Sequence, residues 1–318
     1  MKIICLLLFI ITFNIACNHE NSDFPILKGP YIGQEPPGMV PEIFAPEIIS
    51  TKDKVELNSV FSPDGKEFYF SRWDEDMNDF RIMVTRRIND IWTKPETAPF
   101  SGKFGEADIS ISPDGQRFFF CSKRPFPGSN EPNTSYHIWY MTRSNSYWID
   151  PKPIQLPDGS YLKALHPTST KNGILYFQAR LGRTYGESDL YRSKLENGVL
   201  NTPENLGERV NSSFSEADVV ISPDESFLIV VCQDRPEIMG DSDLYVGFRI
   251  NGTWTELINM GNVINSEIGE SSPMLSPDGK YLFFGRYDTE KDEDAIYWVS
   301  TMVIEEMKPD ELKQQEEE

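Results

Sequence analysis

The sequence predicts an all-β protein, a five-bladed β-propeller of four-stranded antiparallel blades. Its first sign is a Ser-Pro-Asp-Gly turn at Ser62–Gly65, Ser112–Gly115 and Ser276–Gly279, which recurs without its glycine at Ser222–Glu225 and as a pattern alone in Thr168–Phe177. Pro presets φ at the second position, and Gly at the fourth accepts a positive φ, as a tight hairpin requires. Apolar and aromatic strand formers follow each turn. The chain is therefore a repeat protein built from β-hairpins.

The spacing of the repeats is typical of propeller blades. With Thr170 taken as the counterpart of the turn prolines Pro63, Pro113, Pro223 and Pro277, the successive steps are 50, 57, 53 and 54 residues. Periods of this size, in a chain of short strands and turns, favour propeller blades.

Each repeat carries four strand signals, which the second repeat illustrates. Strand A is Ala107–Ser112, strand B is Arg117–Ser122, strand C is His137–Arg143, and strand D surrounds Tyr147 and Trp148. The same order recurs in the other repeats, except that the fifth lacks strand D. Five blades of four strands need that missing strand from elsewhere.

The missing strand lies at the other end of the chain. No strand signal follows Ser300, whereas Glu42–Glu47 matches the D strand of the first repeat, Asp90–Glu96, without a blade before it. We therefore expect Glu42–Glu47 to pair with strand C of the last blade, Ala295–Ser300, and to close the ring. This pairing removes an open sheet edge, which would otherwise invite aggregation.

The ends of the chain differ from the repeats. Residues 1–17 hold one lysine and an apolar run too short for a comfortable membrane span, and they end in Ala16-Cys17, which predicts an export signal. This ending resembles a bacterial lipoprotein signal, in which the cysteine, here Cys17, becomes the lipidated first residue; ordinary cleavage is the alternative. Residues 18–41 form a Pro/Gly-rich tether, 42–304 the propeller, and 305–318 an acidic tail, either a frayed helix or disordered.

Composition limits the partners. The 318 residues include 50 acidic and 30 basic ones, for a net charge of −20, which argues against nucleic acid because phosphates need a basic footprint. A monomer without a cofactor is expected. Cys121 and Cys232 fall in equivalent strands of repeats that are not neighbours, too far apart for a disulfide, and are interpreted as buried thiols.

Further motif residues surround the turns. The fourth repeat reads Pro203-Glu-Asn-Leu-Gly207, Asn211-Ser212, Glu216 and Ser222, and the fifth has a similar series from Trp254 to Ser276. In these residues the chain resembles the TolB-type, WD-like β-propeller repeat of bacterial envelope proteins, over roughly residues 42–304. The resemblance implies an exported protein of the periplasm or outer membrane. It leaves function open, because such propellers bind proteins, bind glycans, or belong to hydrolases and lyases.

A repeated set of charged residues forms the candidate site. Each member lies at the start of strand A or just after strand B: Glu56, Glu106, Lys163, Glu216 and Glu270, and Arg72, Arg124, Arg180, Arg235 and Arg286. Folding the A–B hairpin brings Glu56 opposite Arg72 and Glu270 opposite Arg286. The set is interpreted either as a ring that binds a polar ligand at one mouth of the channel or as one structural ion pair repeated in every blade.

Symmetry breaking would mark a binding site within such a ring. It points to Lys163 and His166 in the third repeat and to the long loop Arg124–Tyr136, which is followed by His137. The two histidines are interpreted as packing residues in preference to metal ligands, since no ligand spacing supports zinc. No catalytic residue is singled out.

The leading hypothesis is an exported, lipid-anchored propeller that binds an envelope protein or a glycan through its loop-rich face, and that meets the membrane only through its N-terminal lipid. One alternative is a glycoside hydrolase or lyase that uses carboxylates at the propeller mouth. The other is a scaffold within an envelope complex. A hydrolase would need a deep pocket with carboxylates in unequal environments, whereas a binding protein would keep every acid paired to its arginine.

Overall fold

The computed structural model describes residues 24–52, 54–288 and 293–317. These residues form five antiparallel sheets that are the blades of a five-bladed propeller, as predicted. The expected export signal lies outside the described residues.

The elements follow the chain in blade order. A 3-10 helix, Tyr31–Gly33, and β1 (Glu42–Ile43) precede blade 1. Blade 1 contains β2 (Glu56–Phe61), β3 (Glu67–Asp74), β4 (Asp79–Ile88), β5 (Ile91–Trp92) and β6 (Glu96–Thr97). Blade 2 contains β7 (Glu106–Ile111), β8 (Arg117–Ser122), β9 (His137–Ser144) and β10 (Tyr147–Pro153). Blade 3 contains β11 (Ala164–Ser169), β12 (Ile174–Ala179), β13 (Asp189–Glu196), β14 (Val199–Leu200) and β15 (Glu204–Asn205).

The last two blades complete the ring. Blade 4 contains β16 (Ser215–Ile221), β17 (Phe227–Gln233), β18 (Ser242–Ile250), β19 (Thr253–Trp254) and β20 (Ile258–Asn259), and the short helix α1 (Gly261–Ile264) follows it. Blade 5 contains β21 (Gly269–Leu275), β22 (Tyr281–Asp288) and β23 (Glu293–Ser300). The chain then forms α2 (Met302–Met307) and α3 (Asp310–Glu317), so most of the described acidic tail is helical.

The first strand of every blade lies nearest the propeller axis. These strands, β2, β7, β11, β16 and β21, approach one another in a closed circle. In blades 1, 3 and 4 the outer strand is broken into two short pieces that pair in turn with the third strand. The Ser-Pro-Asp-Gly turns lie on one face of the disc, here called the turn face. The loops that join second to third strands lie on the other, here called the loop face.

The N-terminal strand closes the ring, as predicted. β1 pairs antiparallel with β23, with Glu42 opposite Trp298 and Ile43 opposite Tyr297. The next residue, Phe44, is fully buried, and its ring centroid lies 5.1 Å from those of both Phe283 and Trp298. The outer strand of blade 5 thus comes from the start of the chain and joins the two ends.

The described part of the expected tether packs on the propeller. The Leu27 carbonyl accepts the Trp92 N–H at 3.0 Å, and the Gly29 carbonyl accepts the Trp92 indole N–H at 2.8 Å. Tyr31 contacts Tyr281 edge-on at 5.1 Å, and Ile32 is buried. Residues 27–33 therefore belong to the folded unit.

The turn geometry follows from its residues. Gly65, Gly115 and Gly279 have φ of +64°, +69° and +70°. In the copy without glycine, Glu225 takes the same conformation with φ of +61°. Its carboxylate accepts a hydrogen bond from the hydroxyl of Tyr176 in the neighbouring blade at 2.6 Å, which helps to offset the strain.

Replacing Gly115 with valine is expected to lower the free energy of unfolding by about 1 kcal/mol or more, because a β-branched residue resists a positive φ. An added Cβ would also lie 3.3 Å from Cγ of Pro63 in the next turn. Chemical denaturation measures the loss. Gly38→Val is the matched control, since Gly38 has no positive φ and no atom within 4 Å of an added Cβ. Equal stability of the two variants would contradict the assignment.

Asn211 and Asn265 of the motif join the D–A loops after blades 3 and 4 to strand C of the same blade. In blade 3, the Asn211 side chain accepts the Leu190 N–H at 2.8 Å and donates to the Leu190 carbonyl at 3.0 Å. Asn265 makes the same two bonds with Leu244 in blade 4. These asparagines are thus explained by main-chain hydrogen bonding, for which the amide supplies both an acceptor and a donor.

The cysteines agree with the sequence analysis. Cys121 and Cys232 are both buried and free, without a disulfide. The Cys121 thiol lies 3.6 Å from the Ala164 carbonyl oxygen, which it faces as a weak donor. Burial raises the pKa of both thiols well above the usual range, so neither is a reactive thiolate at neutral pH.

Candidate functional site

The repeated Glu–Arg pairs exist in four blades and are internal. All four carboxylates are fully buried. The ion pairs are Glu56–Arg72 at 2.7 Å, Glu106–Arg124 at 3.1 Å, Glu216–Arg235 at 2.9 Å and Glu270–Arg286 at 3.1 Å. The first and last are directly opposite in the strand register, as predicted.

Each of these glutamates also binds the loop that leads into its own blade. Glu106 accepts from the Ser101 hydroxyl at 2.8 Å and the Gly102 N–H at 3.2 Å. Arg124 donates in turn to the Phe100 carbonyl at 3.1 Å, and its guanidinium lies 4.7 Å above the Phe120 ring. The oxygens of such a carboxylate already accept hydrogen bonds from groups of its own blade and the loop before it. The geometry therefore favours a structural role, and a part in ligand binding stays a prediction.

The pKa values of the glutamates reflect their burial. Removal from water raises the pKa of Glu270 to about 7, against the opposing effects of the Ser266 hydroxyl and Arg286. The pKa values of Glu56 and Glu106 are raised for the same reason. The positive charge of the paired arginine opposes this rise and favours the ionised form of each glutamate.

The third blade departs from the pattern by one residue. Thr170 accepts the Ile174 N–H with its hydroxyl at 3.1 Å, as the turn serines do, so it stands in the place of a serine and not of a proline. The residue equivalent to the glutamates is then Ala164, which opposes Ala179. Lys163 lies just before the strand, exposed on the loop side. The prediction of Lys163 was one residue too early, because the turn of this blade has no proline and Thr170 is the counterpart of the turn serines.

The arginine of the third blade has a different partner. Arg180 pairs with Glu187 at 3.2 Å, and both side chains are exposed. An exposed pair of this kind contributes little to stability. Blade 3 is therefore the blade in which the internal ion pair is replaced by alanine.

His137 and the long loop before it form a packed aromatic group. The Phe126 ring stacks on Tyr161 with centroids 3.9 Å apart and meets His137 edge-on at 4.8 Å. His137 is half-buried, and burial lowers its pKa. Within the described ranges no group of three or more His, Cys, Asp or Glu side chains is arranged to hold a metal ion. His137 thus packs against the Phe126 ring, and a part in ligand binding stays a prediction.

A ring of polar residues surrounds the axis and was not predicted from the sequence. Each member lies in the bulge of an inner strand, two positions after the glutamate or its alanine counterpart: Asn58, Asp108, His166, Asp218 and Ser272. This set is here called the axial ring. Four of the five have a positive φ, between +21° and +50°. The signal was available in the sequence as a polar residue within an apolar inner strand, but only the bulge reveals that it turns toward its neighbours.

Side chains of the axial ring bind from one blade to the next. Asn58 accepts the Ile109 N–H in blade 2 at 2.6 Å, and Asp218 accepts the Ser272 N–H in blade 5 at 2.6 Å. His166 lies between two acids, with Nδ1 3.4 Å from Asp108 and Nε2 2.6 Å from Asp218. The ring thus ties the inner strands together.

The charges of the axial ring are unequal. Burial by itself lowers the pKa of His166, but the carboxylates of Asp108 and Asp218 outweigh it and raise the pKa to about 9. Burial raises the pKa of Asp108. The pKa of Asp218 is lowered despite its burial, because it faces His166 and the Ser272 N–H. At neutral pH His166 is therefore a cation held by an ionised Asp218.

Two cavities lie on opposite sides of the axial ring. On the turn face a cavity of about 530 Å³ is lined by the residues two positions further along each inner strand, Val60, Ser110, Thr168, Val220 and Met274. Glu305, Lys308 and Leu312 of the C-terminal region also border it. On the loop face a cavity of about 920 Å³ opens between blades 1, 4 and 5 and is here called the loop-face funnel.

Aromatic side chains line the loop-face funnel. Trp73 and Phe80, opposite each other in β3 and β4, meet edge-on at 5.1 Å and are partly exposed. Tyr287 borders the same space with 36% of its surface exposed. The rings of Trp73 and Phe80 are thus partly accessible from the funnel.

Polar groups accompany these rings. Lys52, Gln233 and Asp241 are exposed at the funnel, and Asp294 lies at its base. Burial and the nearby charge of Glu56 raise the pKa of Asp294 to about 8, so its carboxyl group is mostly protonated at neutral pH. The funnel offers both hydrogen-bond donors and acceptors.

Known proteins include solved structures that resemble this chain. No family model and no curated protein matches the sequence. A putative TolB from Agrobacterium tumefaciens is 18% identical, with 74% of this chain and 72% of that chain covered and a TM-score of 0.47. A protein of unknown function from Dyadobacter fermentans is 13% identical, with 78% of each chain covered and a TM-score of 0.44. This chain is similar to TolB-type propellers in fold.

A propeller of an enzyme is also among the similar structures. A Hadza microbial sialidase is 15% identical, with 76% of this chain and 54% of that chain covered and a TM-score of 0.41. Likeness at this level concerns the fold alone. Among the residues described, no helix is long and apolar enough to cross a membrane.

Proposed function

We propose that this protein is an exported, lipid-anchored β-propeller that binds a glycan of the bacterial envelope in the loop-face funnel. The observation that carries the proposal is the combination in one open cavity of partly exposed aromatic rings with polar side chains. The export signal in residues 1–17 and the position of Cys17 support the envelope location and the anchor.

The chemistry of the funnel suits a sugar. Sugars present apolar faces that pack on aromatic rings such as Trp73, and hydroxyl groups that bond to polar side chains such as Gln233. A cavity of about 920 Å³ is large enough for a short oligosaccharide. Protein partners commonly need a broader, flatter contact than such a concave site.

The hydrolase alternative rests on the carboxyl groups of the funnel. It requires two carboxyl groups of unequal pKa that face the substrate. The funnel is lined by the buried Asp294, whose pKa is raised to about 8, and by the exposed Asp241. Turnover of a bound sugar is therefore the outcome that separates this alternative from binding alone. The scaffold alternative has no observation specific to it.

The test is calorimetric titration of the mature chain, produced without residues 1–17, with oligosaccharides prepared from bacterial envelopes. Trp73→Ala is expected to weaken binding about two- to tenfold, since a stacking contact contributes roughly 0.5–1.5 kcal/mol. Its thermal unfolding should stay close to that of the parent protein, because Trp73 is partly exposed.

Tyr147→Ala is the matched control. Tyr147 is an aromatic residue with 72% of its surface exposed in the outer strand of blade 2, away from the funnel. Its removal should leave affinity unchanged. Equal effects of the two substitutions would refute the assignment of the funnel. Turnover of a bound sugar would favour the hydrolase, and absence of any sugar binding would favour a protein partner.

A further inference from the structure

The N-terminal segment runs along the turn face. Lys28 bridges to Ile91, directly after the turn that joins β4 and β5. Tyr31 donates to the turn aspartate Asp278 of blade 5 at 3.2 Å. Gly38 accepts the N–H of Ser300, the last residue of β23, at 2.9 Å. All of these contacts lie at the turn-face ends of blades 1 and 5, so the chain enters the propeller at that face.

Exposed apolar side chains surround this entry point. Ile26 is 75% exposed, Val40 68% and Met302 59%. Ile88 and Ile91, on either side of the turn between β4 and β5, are 56% and 40% exposed. Scattered single apolar residues are ordinary on a protein surface. All five lie next to strand ends at the turn-face rim of blades 1 and 5, where the segment that leads back to Cys17 also lies. The loop face has exposed apolar residues as well, at Tyr185, Met239 and Val263, but neither end of the described chain.

The tether between the anchor and the fold is short. Six residues separate Cys17 from Phe24, so seven Cα–Cα steps span at most about 25 Å when fully extended. The eight residues of β3 separate the two faces by a similar distance, about 25 Å. Only a fully stretched tether could therefore bring the loop face to the level of the anchor.

From these observations we propose that the turn face lies against the phospholipid bilayer and that the loop-face funnel points away from it. The inference rests on the lipid anchor of the proposed function and deepens it, since it fixes where the ligand must come from. A glycan would approach the funnel from the side opposite the membrane that holds the anchor.

The bilayer is the occupant that the observations favour for this rim. Both the tether and the exposed isoleucines meet there, and acyl chains on Cys17 would insert within reach of them. Charge does not provide the attraction, because the protein carries −20 and α3 contributes further acids to the same face. The contact should consequently be insensitive to salt.

The experiment uses the full lipidated chain, isolated from a bacterium that processes lipoproteins and reconstituted into phosphatidylethanolamine vesicles. Single cysteines carry a fluorophore, at Lys66→Cys and Lys280→Cys on the turn face, and at Asn130→Cys and Asp241→Cys on the loop face. The natural Cys121 and Cys232 are buried, which leaves the introduced thiols to react. A quencher attached to the lipid headgroups reports proximity to the bilayer.

Severalfold stronger quenching of both turn-face probes than of both loop-face probes is expected, at low and at high salt. Equal quenching of the two faces, or stronger quenching on the loop face, would overturn the proposal. Mass spectrometry of the mature N-terminus that finds no acyl group on Cys17 would overturn it as well. Glycan binding is measured separately on the lipid-free chain, so failure of the orientation and failure of the funnel are distinguishable.

Discussion

Replacing Glu106 with alanine is expected to lower the free energy of unfolding by about 3–5 kcal/mol, because it leaves a buried guanidinium without its counter-ion. Arg124 is only 8% exposed and has its pKa lowered by burial even with Glu106 in place. The substitution also removes the acceptor of the Ser101 hydroxyl and the Gly102 N–H. Denaturation in urea measures the loss.

Two further variants separate charge from packing. Glu187→Ala removes the partner of Arg180 in an exposed pair and should change stability by no more than about 0.5 kcal/mol. The double variant Glu106→Leu with Arg124→Leu should cost less than Glu106→Ala, since no charge is then left unpaired. Glycan affinity should survive in all three. Normal unfolding of Glu106→Ala together with lost binding would show that the pair belongs to a ligand site instead.

Replacing His166 with glutamine is expected to lower the free energy of unfolding by about 3–5 kcal/mol at pH 6, because Asp108 and Asp218 would lose the cation between them. His137→Gln is the matched control: this histidine is half-buried, and its Nδ1 lies 3.1 Å from the Ser135 carbonyl oxygen, without an ion pair among the described residues. His137→Gln should lower the free energy of unfolding by only about 1 kcal/mol.

The effect of His166 should depend on pH with a defined sign. Its pKa is raised from 6.5 to about 9 in the folded protein, so its stabilisation is fully present below pH 6.5 and is lost as the pH rises toward 9. The difference in unfolding free energy between parent and His166→Gln should therefore shrink by roughly 3 kcal/mol over this range. A difference that stays constant from pH 6 to 9 would mean that His166 is neutral in the folded state.

Low pH should reduce the stabilisation that comes from Asp218, the partner of His166. The lowered pKa of Asp218 means that its stabilisation is present above its unfolded value near 3.8 and is lost as the pH falls through the lower folded value. Asp108 has a raised pKa and works in the opposite sense. The axial ring is thus most stable where His166 is protonated and Asp218 is ionised.

Local sequence determined most of the fold. The turn residues fix the hairpins because a preset φ at proline and a permissive φ at glycine depend on no distant contact. The unmatched strand signal Glu42–Glu47 predicted the closure of the ring, because the fifth repeat lacked its own strand D, and Glu42–Ile43 pairs with β23 in the structure. The pairs Glu56–Arg72 and Glu270–Arg286 followed from counting along a regular hairpin.

The prediction for the third blade was wrong because it depended on the strand register of an irregular hairpin. In the third blade the turn has no proline, and the count placed Lys163 where the structure has Ala164. His166 was recognised as unusual, but its partners are in two other blades, 58 and 52 residues away along the chain from its own position. No spacing rule within one repeat reports such contacts.

The sequence by itself therefore determined the repeat, the blade number, the closing strand and the net negative charge, because each of these depends on residues close together in the chain or on composition. Only the tertiary structure decided the axial ring, the loop-face funnel and the path of the N-terminal segment on the turn face. Each of these is formed where separate blades meet, and the distances between blades are set by packing around the axis rather than by any one stretch of residues.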